Sequence, residues 1–212
     1  MSESGNTKRI IVGITGASGV RYAVRLVECL CGAQLDVHLI VTPNGERLLR
    51  DEAGIDEVSA NALLGGQSDH LFTHSYRDVG ANPASGSYRT DGMVICPCSS
   101  NTLAGVSAGL AGNLLDRAAA VTLKEARRLI VVPREMPMSR MDLLNALRLS
   151  EAGAIICPAS PGFYMQPGEI GDLVDFVVGR LLDLLSVPHG LNTRWADRLE
   201  PPRNMSASEP DR

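Results

Sequence analysis

The feature that most restricts the fold of this chain is a regular alternation of apolar, strand-like runs with segments of helical periodicity. Five short runs rich in β-branched residues are predicted to be strands, at residues 9–14, 36–42, 93–96, 129–132 and 154–157. Two helical faces are clear from apolar residues three or four positions apart: Ala23, Leu26, Val27 and Leu30, and Ile170, Leu173, Val174, Val177, Leu181 and Leu184. Alternating strands and helices build a parallel sheet covered on both faces, so the sequence predicts a three-layer α/β fold of the Rossmann type.

The size and charge of the chain exclude several classes of protein. With 212 residues and 44% hydrophobic content, we expect one domain over residues 9–195 between polar tails at 1–8 and 196–212. A net charge of -4 with scattered basic residues argues against a nucleic-acid partner. No apolar run is long enough to cross a membrane, and the first residues lack a signal-peptide pattern. We therefore expect a cytoplasmic protein without a membrane partner.

The five cysteines indicate reduced thiols rather than a disulfide framework. Their number is odd and none forms a C-x-x-C pair. Cys96 and Cys98 form a C-x-C pair, but further ligands at zinc-like spacing are missing. No metal site is predicted.

Arg134 and Glu135 follow the fourth predicted strand and lie between Pro133 and Pro137. Ligands of open α/β sheets bind at the carboxyl ends of the strands. An arginine beside a glutamate in a stiff loop offers an anion clamp next to a proton carrier. The alternative is a surface ion pair after a strand, since loops and sites share this location.

A glycine-rich turn follows the first strand with the spacing Gly13-x-x-Gly16-x-x-Gly19. In this strand-to-helix context such a turn can hold a phosphate or a flavin edge. The spacing is not that of dinucleotide sites, and Thr42 follows the second strand where NAD sites carry an acidic residue. A mononucleotide therefore suits the turn better than NAD, although a simple tight turn is the alternative.

Hydroxyl and amide side chains follow the third strand, beyond Pro97: Ser99, Ser100, Asn101 and Thr102. Ser and Thr are ordinary residues at a helix start, but a helix N-terminus also offers N–H groups and a positive dipole end to an anion. Two such termini, near Ser18 and Ser99, are predicted to face one crevice and to hold a ribityl phosphate.

The remaining candidates are more isolated. Phe163 and Tyr164 lie in a Pro-Gly loop of a chain with only 4% aromatic residues, which favours a pocket over the core. Lys124 and Arg180 lie on predicted helices, where each taken alone is an ordinary solvated charge. Residues 65–89 lack periodicity and are predicted to be a long loop or an interrupted helix, a feature that is often functional.

Taken together and in order, these motifs resemble the UbiX-type flavin prenyltransferases. The resemblance covers nearly the whole chain and ends at Trp195; it rests on residues 12–19 (VGITGASG), 96–99 (CPCS), 117–119 (RAA), 122–125 (TLKE), 132–135 (VPRE) and 158–164 (PASPGFY). It implies a flavodoxin-like parallel sheet, a homo-dodecamer with sites where subunits meet, and alkylation of reduced FMN by dimethylallyl phosphate at N5 and C6. The prenylated FMN would serve a UbiD-type decarboxylase.

The resemblance also implies roles for individual residues. FMN would be bound by Gly16, Ala17, Ser18, Thr42, Ser99, Ser100, Asn101, Thr102 and Arg134. Lys124, Tyr164 and Arg180 would bind dimethylallyl phosphate, with Arg117 and Trp195 shaping the pocket from a neighbouring subunit. The predicted catalytic residues are Glu135, Glu52 and Ser18, of which Glu135 would assist proton transfer.

Two departures and two rival functions accompany this hypothesis. Asn101 stands where many relatives have Lys, and Thr42 where Ser is common.

One rival function is that of an FMN-dependent decarboxylase of the phosphopantothenoylcysteine type, which needs a histidine after the first helix. In this chain His38 lies in the second strand instead. The other is a non-catalytic flavin-delivery subunit, which would not need a second phosphate site.

Overall fold

Six parallel strands form one sheet in a computed structural model that describes residues 7–191 and 193. The spatial order is β3-β2-β1-β4-β5-β6, and all five pairings are parallel. The strands are β1 Arg9–Ile14, β2 Asp36–Val41, β3 Leu71–His74, β4 Gly92–Cys98, β5 Leu129–Pro133 and β6 Ile155–Ile156.

Helices cover both faces of the sheet, as the alternating pattern predicts. They are α1 Val20–Gly32, α2 Pro43–Ala53, α3 Ala60–Leu64, α4 Ser100–Ser107, α5 Leu114–Lys124, α6 Arg140–Glu151 and α7 Ile170–Leu184. One core contains the inner faces of α1, α2, α3 and α7 together with Ile10, Val12 and Ile14 of β1. The other contains α4, α5 and α6 with Ile11 of the same strand. The three-layer α/β prediction is confirmed.

The central strands are apolar on both faces because helices cover them on both sides. All five residues of β5 and all seven of β4 are buried. Each of the five predicted strands corresponds to a strand of the sheet, with ends that differ by up to two residues. One difference is that β4 continues past Pro97 to Cys98, with a shift in its pairing register to β5 after Ile95. Pro97 therefore does not end the strand as its ring suggests.

The prediction of a long loop over residues 65–89 is wrong in part. This stretch contains β3, which pairs with β2 from Val37 to Ile40, and a short 3₁₀ helix, Asn82–Ala84. The strand has only four residues and lies at the edge of the sheet, with Phe72 42% exposed. An edge strand with one solvated face lacks the continuous apolar run that reveals buried strands.

The strand order places a crevice between the carboxyl ends of β1 and β4. From β1 the chain moves outward to β2 and β3, and then crosses to β4 on the other side of β1. This is the switch point at which open α/β sheets bind ligands. Among the described residues, no helix is long and apolar enough to span a membrane.

Candidate functional site

Thr15 joins the two turns that form the crevice. Its hydroxyl donates to the carbonyl oxygen of Pro97 at 2.7 Å and accepts the N–H of Ser99 at 2.8 Å. The side chain is fully buried. Because both bonds are made in the protein interior, they hold the turn after β1 against the turn after β4. The predicted meeting of these two turns is confirmed.

The glycine-rich turn is closely packed where it approaches α2. A Cβ atom on Gly16 would lie 2.5 Å from Cβ of Asn44, which leaves no room for a side chain. Gly19 has a φ of 108°, a left-handed conformation that favours glycine. Ser18 is exposed beside this turn, and Ala17 is buried. Thr42 lies below it and caps α2 by accepting the N–H of Gly45.

Glu52 occupies the N-terminus of α1. One of its carboxylate oxygens accepts the N–H of Gly19 at 2.8 Å and that of Val20 at 3.2 Å. The positive end of the helix is therefore already paired with an anion from α2. This corrects the prediction that both helix termini present their N–H groups to a ribityl phosphate, since the carboxylate takes this place at α1.

The N-terminus of α4 carries the second polar cluster. Ser99 caps the helix by accepting the N–H of Thr102 at 3.4 Å, while Asn101 is exposed. The hydroxyl of Ser100 donates to a carboxylate oxygen of Glu135 at 3.1 Å. Glu135, an exposed residue just after β5, thus lies at the start of α4 and beside the crevice.

Arg134 reaches from the end of β5 to the turn after β1. Its Cδ atom lies 3.1 Å from the position that a Cβ of Gly19 would take. Tyr22 lies at the same place, and burial raises the pKa of its phenol, with Cys96 adding to the rise and the positive charge of Arg134 opposing it. The guanidinium is exposed, so an anion in the crevice can reach it. The structure therefore brings Arg134 to the first turn and Glu135 to the start of α4, so that the pair contacts both sides of the crevice.

Tyr164 and Arg180 lie along one face of α7. Tyr164 is in the short 3₁₀ helix Phe163–Met165, and its ring meets that of Phe176 edge to face, with centroids 5.6 Å apart. Arg180 follows Phe176 by four residues, which places both side chains on the same side of the helix. The exposure of Phe163 and Tyr164, 72% and 45%, agrees with the prediction that this loop is not core.

Lys124 and Arg117 lie in the opposite layer of the molecule. They are seven residues apart on α5 and therefore share a face of that helix. Lys124 ends α5 before β5 begins, whereas Arg134 follows the end of β5. The first and last Cα atoms of a five-residue strand are roughly 13 Å apart. Lys124 therefore lies at the end of β5 that is remote from the crevice, while Tyr164 and Arg180 lie with α7 on the other face of the sheet. Trp195 lies outside the described residues.

Two residues at these sites went unrecognised in the sequence. Thr15 looks like one more residue of a glycine-rich turn, and only its position directly after a buried strand hints at a buried hydroxyl. Phe176 stands outside the apolar face that the periodicity of α7 reveals. Its aromatic character in a chain poor in aromatic residues is the only available signal.

The crevice combines several chemical capacities. Small residues allow a flat ligand to approach the backbone, hydroxyls and the α4 terminus can hold an anion, and Arg134 adds a positive charge. Glu135 can accept or release a proton at the same place. The described part of the chain contains no group of three His, Cys, Asp or Glu residues arranged to hold a metal ion.

Comparison with known proteins agrees with this geometry. The family model described as Flavoprotein matches residues 1–182. The flavin prenyltransferase UbiX of Alkalihalophilus pseudofirmus is 46% identical over 194 residues, which cover 90% of this chain and 97% of that protein. The flavin prenyltransferase UbiX of Thermoplasma acidophilum is 46% identical over 88% of this chain and 99% of its own length.

Solved structures show the same similarity. AnUbiX (PadA1), crystallised with FMN and dimethylallyl pyrophosphate, is 38% identical with a TM-score of 0.84, and the match covers 90% of this chain and 98% of that one. A dodecameric FMN-dependent UbiX-like decarboxylase from Escherichia coli O157:H7 is 40% identical with a TM-score of 0.82, over 88% and 98% of the two chains. A PPC decarboxylase, at 19% identity and a TM-score of 0.52, shares only the fold.

Proposed function

Since the chain belongs to the Flavoprotein family and, within it, to the UbiX-type flavin prenyltransferases, we propose that it transfers a dimethylallyl group to reduced FMN. The new bonds form at N5 and C6 of the flavin, and prenylated FMN is the product. The observation that carries this proposal is the crevice at the switch point. There Thr15 holds two turns together, and Arg134 and Glu135 meet them from β5.

FMN is proposed to bind along this crevice. The reduced flavin supplies the nucleophilic atoms, and the protein orients it. The turn at Gly16, Ala17 and Ser18 is open to the flat ring system, with Thr42 beneath it. The hydroxyls and N–H groups at the start of α4 are proposed to hold the phosphate, because Glu52 already occupies the start of α1.

Dimethylallyl phosphate is proposed to bind beside the flavin, with its phosphate held by Arg180, the phenol of Tyr164 and Lys124. Negative charge grows on this phosphate as the carbon–oxygen bond breaks. Positive groups fixed in place before the reaction stabilise that charge most effectively. The exposed aromatic side chains of the Phe163–Met165 segment would shield the allyl group from water.

The site is proposed to need two copies of the chain. Tyr164 and Arg180 lie in the layer of α7, while Lys124 and Arg117 lie in the layer of α5 on the other face of the sheet. A homo-oligomer, proposed to be a dodecamer, can bring the α5 face of one subunit to the crevice of another. The separation of these groups within one subunit supports that arrangement.

Glu135 is proposed to accept the proton that C6 loses when the second bond closes. In that step the allyl double bond is consumed and its central carbon gains one proton, so that no net proton is lost. The hydroxyl of Ser100 donates to its carboxylate and fixes its direction. Glu52 and Ser18 act nearby at the first turn. Because Glu52 accepts two backbone N–H groups, its proposed contribution includes the orientation of Ser18 and Gly19.

The product is proposed to serve a UbiD-type decarboxylase, and the reaction is proposed to take place in the cytoplasm.

Neither of the two rival functions accounts for as many of the site residues as prenyl transfer does. The decarboxylase resembling phosphopantothenoylcysteine enzymes would need a histidine near α1, but His38 lies buried in β2. A delivery subunit would leave the pair of Tyr164 and Arg180 without a role.

The test is an anaerobic reaction of the purified protein with reduced FMN and dimethylallyl phosphate, followed by mass spectrometry of the extracted flavin. A flavin heavier by one dimethylallyl group is expected. Lys124→Met should abolish or greatly slow the formation of this heavier flavin. The matched control is Lys8→Met, at the other lysine of the chain, which should form the heavier flavin at the rate of the wild type. Unmodified FMN with both the monophosphate and the diphosphate donor would refute the proposal and favour a rival.

A further inference from the structure

Arg127 fixes an irregular segment that lies against α5. Its guanidinium donates to the carbonyl oxygen of Gly86 at 2.6 Å, to that of Tyr88 at 2.8 Å and to the hydroxyl of Thr90 at 3.4 Å. The side chain is only 16% exposed. One rigid, planar group therefore satisfies three acceptors within five residues of chain, residues 86–90. This segment has no regular backbone pairing of its own before β4 begins.

Glu125 connects the same guanidinium to Lys124. One carboxylate oxygen lies 3.8 Å from Nζ of Lys124, and the other lies 3.9 Å from Arg127. The carboxylate also packs on Gly86, where a Cβ atom would come within 2.4 Å of it. Lys124, Glu125, Arg127 and the segment 86–90 thus form one connected group at the end of α5.

We propose that Arg127 is a positioning residue for prenyl transfer. It holds the segment 86–90 in place and, through Glu125, directs the ammonium group of Lys124 toward the allyl phosphate. Arg127 itself touches neither substrate. This inference rests on the proposed function, because Lys124 is the residue through which it acts on the reaction.

The carboxylate of Glu125 explains why a positively charged residue is needed at position 127. Without Arg127, Glu125 would pair more closely with Lys124 and weaken the field that the ammonium group offers to a phosphate. The three acceptors at Gly86, Tyr88 and Thr90 would also lose their common donor. A lysine in place of the arginine carries the charge but lacks the fork that reaches two carbonyl groups at once.

Three variants separate positioning from general stability. Arg127→Met is expected to raise the KM for dimethylallyl phosphate about tenfold or more, because a misplaced cation costs binding and rate. Arg127→Lys should raise the KM less than Arg127→Met does. Methylguanidinium added to Arg127→Met should bring its KM part of the way back to that of the wild type. Arg89→Met makes the same substitution at an exposed arginine within the segment 86–90 and should leave the KM unchanged.

Hydrogen exchange provides a readout that does not depend on activity. Amides at residues 86–90 should exchange faster in Arg127→Met than in the wild type or in Arg89→Met. Unchanged exchange, an unchanged KM in folded Arg127→Met, or an equal loss in Arg89→Met would each overturn the inference. If the wild type makes no prenylated flavin, the proposed function fails, while the exchange data still decide whether Arg127 holds the segment.

Discussion

Acidification is expected to destabilise this protein through one buried histidine, His38. The ring lies between two partners: Nδ1 is 2.9 Å from Nε2 of His74, and Nε2 is 2.9 Å from the hydroxyl of Tyr88. Phe72 stacks on it at 5.2 Å. Only 4% of the residue is exposed, so a charge placed on this ring would lose nearly all its hydration.

Burial lowers the pKa of His38 from 6.5 to about 4, with the neighbouring His74 as the next cause. The charge of Arg9 also lowers this pKa, while Asp36 opposes the change. Above pH 6.5 the ring is neutral in both states. Between pH 6.5 and about 4 only the unfolded chain binds the proton, so the stability present at neutral pH is lost as the pH falls. The difference in pKa corresponds to about 3 kcal/mol.

The assay is urea unfolding at a fixed protein concentration, repeated in steps between about pH 7 and pH 4.5. His38→Gln keeps a group that can accept from Tyr88 but cannot titrate. Its stability should depend on pH less steeply than that of the wild type, by about 1.4 kcal/mol per pH unit. Parallel profiles for wild type and His38→Gln would refute the reasoning.

Four further outcomes are expected. Thr15→Val should lower the free energy of unfolding in urea by about 1–3 kcal/mol, because the carbonyl of Pro97 and the N–H of Ser99 both lose the buried hydroxyl that they bond; Thr15→Ser should restore it. Ser18→Ala should release flavin more easily in a fluorescence assay, and an unchanged flavin content would contradict the assignment of this turn. Glu135→Gln should bind FMN but stop before the second bond closes, as mass spectrometry would show; normal turnover would remove its role in proton transfer. Tyr164→Phe should raise the KM for dimethylallyl phosphate more than the Kd for FMN, and equal changes would argue against separate sites.

The sheet could be predicted from sequence wherever two buried faces produce a continuous apolar run. The predicted strands that correspond to β1, β2, β4 and β5 satisfy this condition, because nearly all their residues are buried. The fifth predicted strand corresponds to β6, which has two partly buried residues at the other edge of the sheet. β3 does not satisfy the condition, because it has four residues at the edge of the sheet and exposes Phe72 to solvent. Its pairing depends on β2 lying beside it, which is information from tertiary structure. The same dependence explains why Pro97 could lie within a strand.

The crevice could be predicted in outline because parallel strands bring their carboxyl ends to one edge. This alone places the turn at Gly16, the start of α4 and the pair of Arg134 and Glu135 together. The contact of Glu52 with α1 could not be predicted, since it joins positions 33 residues apart through the packing of α2 on α1. The resemblance to a family named Glu52 but gave no indication that it caps a helix.

The capping of α1 by Glu52 affects where the phosphate of a ligand can lie in the crevice. The start of α1 is already compensated by a carboxylate, and a phosphate placed there would meet a like charge at short range. A carboxylate also lies near the start of α4, but Glu135 there accepts from the side-chain hydroxyl of Ser100, whereas Glu52 accepts from backbone N–H groups of α1. Arg134 adds a positive charge at the first turn. A phosphate is therefore favoured at α4, while the turn at α1 is left to the uncharged part of the ligand. Asn101, exposed at the same helix start, carries no charge, so Arg134 is the nearby residue of this crevice that offers a positive charge to the phosphate.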